Sequence, residues 1–91
     1  MAYTTSNALT TTASTIFDKD TDGTGPLEWE FIASGDDVNL FFTGVWPEAS
    51  TAVVVSDGET YRYGSMSRGF DKIEAAAVNT TATLTARPRF A

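Results

Sequence analysis

A short acidic run is the closest match to a chemical motif in this sequence, and it consists of Asp18, Asp20 and Asp22. Carboxylates in alternation, followed by a glycine such as Gly23, are typical of the first half of a calcium-binding EF-hand loop. The twelfth position, where that loop needs a bidentate glutamate, is Trp29, so the segment is not an EF-hand. Two interpretations stay open. Either a non-helical loop binds calcium weakly, with Glu28 completing the ligand set, or the run is an aspartate-rich turn that needs no metal.

Glu28 and Glu30 form a second candidate, because side chains two apart on a strand lie on one face, about 6.5–7 Å apart. Paired carboxyl groups at such a distance perform glycoside hydrolysis, in which apolar surroundings raise the pKa of one of them. No apolar residue is placed to do so here, and we expect a solvated strand face. The chain has no His and no Cys, the usual general base and thiol nucleophile, and we therefore expect no enzymatic activity.

Length and charge limit the remaining functions. A chain of 91 residues predicts one domain with a small core. Twelve acidic residues against six basic ones give a net charge of −6, which repels phosphate backbones and anionic lipids. We therefore expect neither a nucleic-acid partner nor a membrane partner. The first residues lack the basic and apolar regions of a secretory signal, so synthesis in a cytoplasm is expected.

Short segments of alternating polar and apolar residues, separated by turn residues, recur along the chain and predict antiparallel strands. We expect an N-terminal arm over residues 1–8, mobile or docked on a neighbour, and one domain over residues 9–91. Strands are predicted over residues 9–17, 27–31, 38–43, 51–55, 60–63, 70–78 and 81–86, with Pro88 ending further pairing. The predicted fold class is all-β: a single antiparallel β-sandwich, jelly-roll or immunoglobulin-like, with six to seven short strands.

The Asp57-Gly58 dipeptide predicts a type I′ hairpin turn, because both of its central residues need positive φ. That turn pairs Val55 with Thr60, although a longer loop would shift the register. The pairing assigns four side chains to the core, namely Ala52, Val54, Tyr61 and Tyr63.

The same alternation turns Phe41, Val53 and Val55 outward, and several large apolar side chains on sheet exteriors indicate a subunit interface or strands buried on both faces. Further candidate interface residues are Tyr3, Arg87, Arg89 and Phe90. The arginines near the end of the sequence either contact a partner or serve solubility alone. Trp46, beside Pro47 in a predicted loop, either stacks on a sugar or covers the open end of the sandwich.

Residues 36–86 follow a characteristic order of segments. The first segment, over residues 37–44, is Asp-Val-Asn-Leu-Phe-Phe-Thr-Gly, and the second, over residues 52–58, is Ala-Val-Val-Val-Ser-Asp-Gly. An aromatic strand then begins at Thr60-Tyr61. The last segment, over residues 82–86, is Ala-Thr-Leu-Thr-Ala. This order resembles that of small β-sandwich proteins of tailed bacteriophage particles. The resemblance covers a little over half of the chain and lies in the order of strands rather than in chemical motifs.

The resemblance implies a non-enzymatic structural protein of the virion, made in the host cytoplasm. The favoured role is a capsid decoration, or cement, protein that binds capsid, spike or tail subunits through its apolar strand faces and its N-terminal arm. A homo-oligomer is expected, and a trimer is favoured. The alternative is a carbohydrate-binding, receptor-recognising module that uses Trp46 and a calcium ion at the aspartate loop.

Overall fold

The computed structural model describes residues 4–22, 28–43, 50–64 and 72–89. This part of the chain is all-β, as predicted, apart from the four-residue helical segment α1 (Lys19–Asp22). The described strands are β1 (Thr5–Leu9), β2 (Ser14–Asp18), β3 (Glu28–Ser34), β4 (Val38–Thr43), β5 (Ser50–Val55), β6 (Thr60–Gly64), β7 (Lys72–Ala77) and β8 (Ala82–Arg89).

The strands form two four-stranded sheets in which all neighbours are antiparallel. The order is β1-β8-β3-β6 in the first sheet and β2-β7-β4-β5 in the second. Consecutive strands lie in opposite sheets at every step except from β4 to β5. Four connections that pass between the sheets, over residues 10–13, 35–37, 56–59 and 78–81, lie at one end, which we call the crossing end.

Inward side chains of both sheets meet in one hydrophobic core. Aromatic rings run through it: Phe17 of β2 lies 5.4 Å from Trp29 of β3, and Phe31 lies 5.7 Å from Phe42 of β4. Phe42 also contacts Tyr63 of β6 edge to face at 4.7 Å. These rings join strands of opposite sheets. Burial of each large side chain contributes about 1.5–3 kcal/mol of free energy and so stabilises the contact between the sheets.

The predicted first strand over residues 9–17 is wrong, since two strands of opposite sheets occupy this region. Thr10 separates them: its hydroxyl oxygen accepts a hydrogen bond from the Thr12 N–H at 3.2 Å, and its carbonyl accepts one from the Ala77 N–H. Such local side-chain bonds favour a turn over a continuous strand. The count of six to seven strands is therefore too low.

Half of the predicted N-terminal arm belongs to a sheet. Residues 5–8 lie in β1, where Thr5 pairs with Ala86 and Ala8 with Thr83 of β8. The Asn7 side-chain amide also donates to the Leu84 carbonyl at 3.1 Å. The threonine-rich segment buries too little apolar area on its own to offset the conformational entropy lost when it becomes ordered. Pairing with β8 and burial of Leu9 supply the missing stabilisation.

The predicted hairpin of β5 and β6 is also wrong, because β5 pairs with β4 and β6 pairs with β3 in the other sheet. Asp57-Gly58 instead forms a turn between the sheets, closed by the Glu59 N–H donating to the Ser56 carbonyl at 2.9 Å. Among the described residues, positive φ occurs only at Gly35 and Gly58, whose φ is 82°. This places the glycine at the third position of a type II turn, where type I′ would need positive φ at Asp57 as well.

Pro88 does not end the pairing of the last strand, which continues to Arg89 with Pro88 opposite Trp29 of β3. The pairing of β1 with β8 spans Ala82 to Ala86 only, so no β1 residue is paired at Pro88. A proline is tolerated in such a place because its missing N–H removes no hydrogen bond from a sheet.

Candidate functional site

Three apolar side chains lie together on the outer surface of the second sheet: Phe41 on β4, and Ala52 and Val54 on β5. We call them the outer apolar patch. Phe41 pairs directly with Ala52, and Val54 lies two residues further along the same face. Phe41 is 37% exposed and Val54 is 59% exposed. The patch therefore presents an aromatic and a branched side chain to the surroundings.

The predicted outward positions are right for Phe41 and wrong for the two valines. Val55 is 3% exposed, and Val53 packs partly buried against the core. Register with β4 explains this, because Val55 pairs with the buried Val38 and Val53 with the buried Leu40. Of the four side chains assigned to the core, Tyr61 and Tyr63 do pack against it, whereas Ala52 and Val54 face outward.

β5 is an edge strand, since only β4 pairs with it among the described strands. Its sequence, Ser-Thr-Ala-Val-Val-Val, contains no charged residue and no proline. Edge strands in soluble proteins usually carry lysine, proline or a bulge, which block further pairing. β5 has none of these features in its sequence or its register. No other described strand pairs with the main-chain groups on its far side, beside the outer apolar patch.

Within the described strands, the charges nearest to the patch on the same sheet face belong to β7. Glu74 pairs with Phe41 across the register, and its carboxylate lies 4.0 Å from the Lys72 ammonium. Asn39 lies between Val54 and Ala76. The patch thus borders a neutral ion pair and an amide, which favours contact with an uncharged protein surface.

The outer face of the first sheet carries a cross-strand triad of Glu30, Arg62 and Arg87. Glu30 accepts from Arg62 Nε at 2.9 Å and from Arg87 Nη1 at 3.3 Å. It is only 7% exposed, so the predicted solvated face is wrong at this residue, while Glu28 is exposed. Each arginine is directly opposite Glu30 in a neighbouring strand, and its charge stabilises the carboxylate there.

The other predicted contact residues are placed only in part. Arg87 is exposed and bound to Glu30, and Arg89 ends β8 with its side chain outside the described part. Tyr3, Phe90 and the candidate sugar-stacking residue Trp46 lie outside the described residues. Their roles stay predictions.

At the candidate calcium loop, the Asp18 carboxylate accepts a hydrogen bond from the Asp20 N–H at 3.0 Å. This bond caps α1, whose last residue is Asp22, and residues 23–27 lie outside the described part. Within the four described ranges, no group of three or more acidic side chains is arranged to bind a metal ion. The bond at Asp18 fits either interpretation of the aspartate run, and the calcium site with Asp20, Asp22 and Glu28 stays a prediction.

A second aspartate, Asp36, organises the crossing end, and sequence analysis missed it. Its carboxylate accepts from the N–H groups of Thr80 and Asn79, each at 2.9 Å, and from the Asn79 amide at 3.0 Å. These bonds, that of Thr80 first and those of Asn79 next, lower the pKa of Asp36 from 3.8 to about 2. Asp36 thereby ties the β3–β4 turn to the β7–β8 turn.

Asp57 and Asp37 join a third turn, between β5 and β6, to the β3–β4 turn. The Asp57 carboxylate accepts from the Gly35 N–H at 2.9 Å, and the Asp57 N–H donates to the Asp37 carboxylate at 2.8 Å. The sequence signal for this network was the clustering of aspartate with glycine in two turns. This clustering predicts each turn separately, but it does not indicate that the turns form hydrogen bonds with each other.

A shallow, open groove of about 450 Å³ lies beside this network, between β1, β3 and β8. Its lining consists of threonine, serine, alanine, Leu9 and Gly35, without a titratable side chain. Such a lining offers neither a nucleophile with a base nor a charged anchor.

The described residues include no helix with the length and apolar character needed to cross a membrane. Comparisons of the chain with models of protein families, with curated proteins and with solved structures find no match.

Proposed function

We propose that this chain is a non-enzymatic structural protein that binds other protein subunits, specifically a decoration protein of a tailed bacteriophage particle. The observation that carries the proposal is the outer apolar patch beside the unprotected edge of β5. Apolar side chains on a sheet exterior cost solubility unless another surface covers them. The likeness of residues 36–86 to phage β-sandwich proteins points to capsid, spike or tail subunits as that surface.

We further propose that the two sheets form a single jelly roll. The strand orders β1-β8-β3-β6 and β2-β7-β4-β5, with every step but one passing between sheets, support this assignment. Jelly rolls have eight strands in two sheets and recur in viral capsid proteins and in lectins. Fold alone does not decide function, so the proposal rests on the patch and not on the fold.

Phe41 is the expected anchor of the particle contact. Aromatic side chains supply much of the binding energy at interfaces, where a central residue enters a pocket of the partner. Phe41 projects from β4, which is flanked by β7 and β5, so its backbone is held on both sides. A rigid strand presents the ring without the entropy cost of ordering a loop.

Particles assembled without this chain provide the test. Purified wild-type chain, a Phe41→Ser variant and a Val78→Ser variant are mixed with such particles, and the pelleted fraction is measured over a range of concentrations. Val78 is a matched control, because it is 39% exposed and lies at the crossing end, away from the patch. We expect wild type and Val78→Ser to bind alike, and Phe41→Ser to bind at least about tenfold more weakly.

Failure of the wild-type chain to sediment with the particles would contradict the proposal, as would equal binding by Phe41→Ser. Saturable binding of the chain to host-surface glycans, lost in Trp46→Ala, would instead favour the carbohydrate-binding alternative.

A further inference from the structure

We infer that the free edge of β5 pairs antiparallel with β5 of a second copy, which joins two second sheets into one continuous sheet of eight strands. The inference deepens the proposed assembly role and rests on it. Its basis is that β5, an uncharged and largely apolar strand, has no second partner among the described strands, which is the condition for adding another strand.

The other three sheet edges are less suited to such pairing. β2 contains an irregularity between Thr15 and Phe17 and ends in Asp18. β6 carries the exposed Arg62 near its centre, so a second copy would bring like charges together. β1 is uncharged, but its outward side chains are small, and its Asn7 side chain already bonds to β8. β5 alone among the four combines a regular edge with exposed apolar side chains.

Charge favours a second copy at this edge over other faces of the same molecule. Two chains of net charge −6 repel each other, and this repulsion is smallest where the approaching surfaces carry no charge. β5 carries none. Among the described strands of this sheet, Lys72 and Glu74 lie two strands away and pair with each other, while Asp37 and Asp57 lie in the turns at the crossing end, beyond the end of β5. A strand that pairs with itself about a two-fold axis also closes the assembly at two chains.

The sequence of β5 selects a register centred on Val53. Antiparallel pairing keeps side chains of one sheet face opposite each other, so that Val53 lies opposite Val53 of the second copy, and Val54 opposite its Ala52. Registers centred on Val53 and on Ala52 each pair five residues within Ser50–Val55, but only the Val53 register places Val54 opposite an apolar residue, whereas the other places it opposite Ser50. The Val53 register also joins the two outer apolar patches into one surface, with Phe41 of each copy on either side of the axis.

Sedimentation of the 91-residue chain over a range of concentrations tests the pairing, because it gives the mass of the species in solution. We expect a reversible two-chain species for wild type and for Val78→Lys. Val54→Lys places an ammonium group at the apolar contact and should raise the dissociation constant at least tenfold. Since both valines are exposed, 59% and 39%, the two variants compare one chemical change at two surface positions.

The absence of cysteine from the sequence allows a second test, of the register. Directly opposite residues in an antiparallel pair have Cα atoms about 4.5–5.5 Å apart, within the range that a disulfide spans. Mild oxidation of a mixture of Ala52→Cys and Val54→Cys chains should give the mixed disulfide. Either variant alone should give little cross-linking, because its two cysteines are offset by two residues.

A wild-type chain that stays single at every concentration would overturn the inference, and so would a three-chain species or equal weakening by Val54→Lys and Val78→Lys. Particle binding by the same samples separates the two proposals. A single chain that binds particles would overturn the β5 pairing and leave the decoration role in place. A two-chain species that binds no particle would overturn the decoration role alone.

Discussion

Asp36 is the residue with the clearest effect of ionisation on stability. Its pKa is about 2 in the folded chain and 3.8 ordinarily, because the bonds from Thr80 and Asn79 favour the carboxylate. A group with a lowered folded pKa adds stability that is complete above pH 3.8 and disappears as pH falls through about 2. We expect Asp36→Asn to unfold at lower urea concentration than wild type at neutral pH, and the difference to shrink between these two pH values.

Asp20→Asn serves as the control, because Asp20 is exposed on α1 and takes no part in the turn network at the crossing end. This variant should follow the wild-type acid profile. An Asp36→Asn profile parallel to wild type across the acid range would contradict the assignment.

The triad of Glu30, Arg62 and Arg87 predicts non-additive effects. Each arginine is more than half exposed, so Arg62→Ala and Arg87→Ala should each cost only about 0–1 kcal/mol of unfolding free energy. The double variant should cost more than the sum, since the nearly buried Glu30 then loses both guanidinium groups. Urea unfolding of all four proteins measures the coupling, and strictly additive values would show that the arginines act independently.

For single residues, the sequence predicts correctly that Phe41 faces outward, but it predicts the opposite of the observed directions for the three valines of β5. Three consecutive valines have no polar alternation, so the sequence does not say which of them faces the core. Their direction follows from pairing with β4. Glu30 was misjudged for a similar reason, because its arginine partners come from strands far along the chain.

At the scale of elements, neighbouring residues of β4 test the assignment of its two faces. Phe42 is fully buried between Phe31 and Tyr63, whereas Phe41 faces outward. Phe42→Ala should cost about 3–5 kcal/mol of unfolding free energy, and Phe41→Ala about 1 kcal/mol or less. Urea unfolding curves of the two variants compare the same substitution one position apart. Similar costs would contradict the orientation of β4.

Because β1 is paired in a sheet, we expect deletion of the N-terminal residues to lower the stability of the fold, which deletion of a free arm would not do. Removal of residues 1–9 deletes β1, unpairs one side of β8 and removes the buried Leu9. Leu9 alone accounts for about 1.5–3 kcal/mol, so the truncated chain should unfold at clearly lower urea concentration. Leu9→Ala is the matched control, and we expect it to lose less stability than the truncation. Unchanged stability after truncation would support the arm expected from the sequence.

The sequence predicts strands better than it predicts their partners. Segments such as β4, β7 and β8 were located within a few residues, because alternation and turn residues are local signals. Partner choice depends on contacts between distant segments, and the Asp57-Gly58 turn suggested a local hairpin where the chain passes to the other sheet. The calcium loop remains a prediction, because only its beginning and Glu28 lie in the described part.

For the whole molecule, net charge predicts how salt affects self-association. Two chains of charge −6 repel, and the β5 edge offers no opposite charges in return. Added sodium chloride screens that repulsion, with a Debye length of about 10 Å at roughly 0.1 M. We therefore expect the dissociation constant of the two-chain species to fall as ionic strength rises. A rise would indicate an interface made by ion pairs, such as the arginines of the first sheet.

The position of β8 has a consequence for synthesis of the protein. β8 follows every other described strand in the chain, yet it lies between β1 and β3, and β3 is also paired with β6. A ribosome delivers the chain from its N-terminal side, so β1 and β3 emerge long before the strand that joins them. The first sheet therefore cannot close until residues 82–89 have left the exit tunnel, and folding must follow translation of nearly the whole domain.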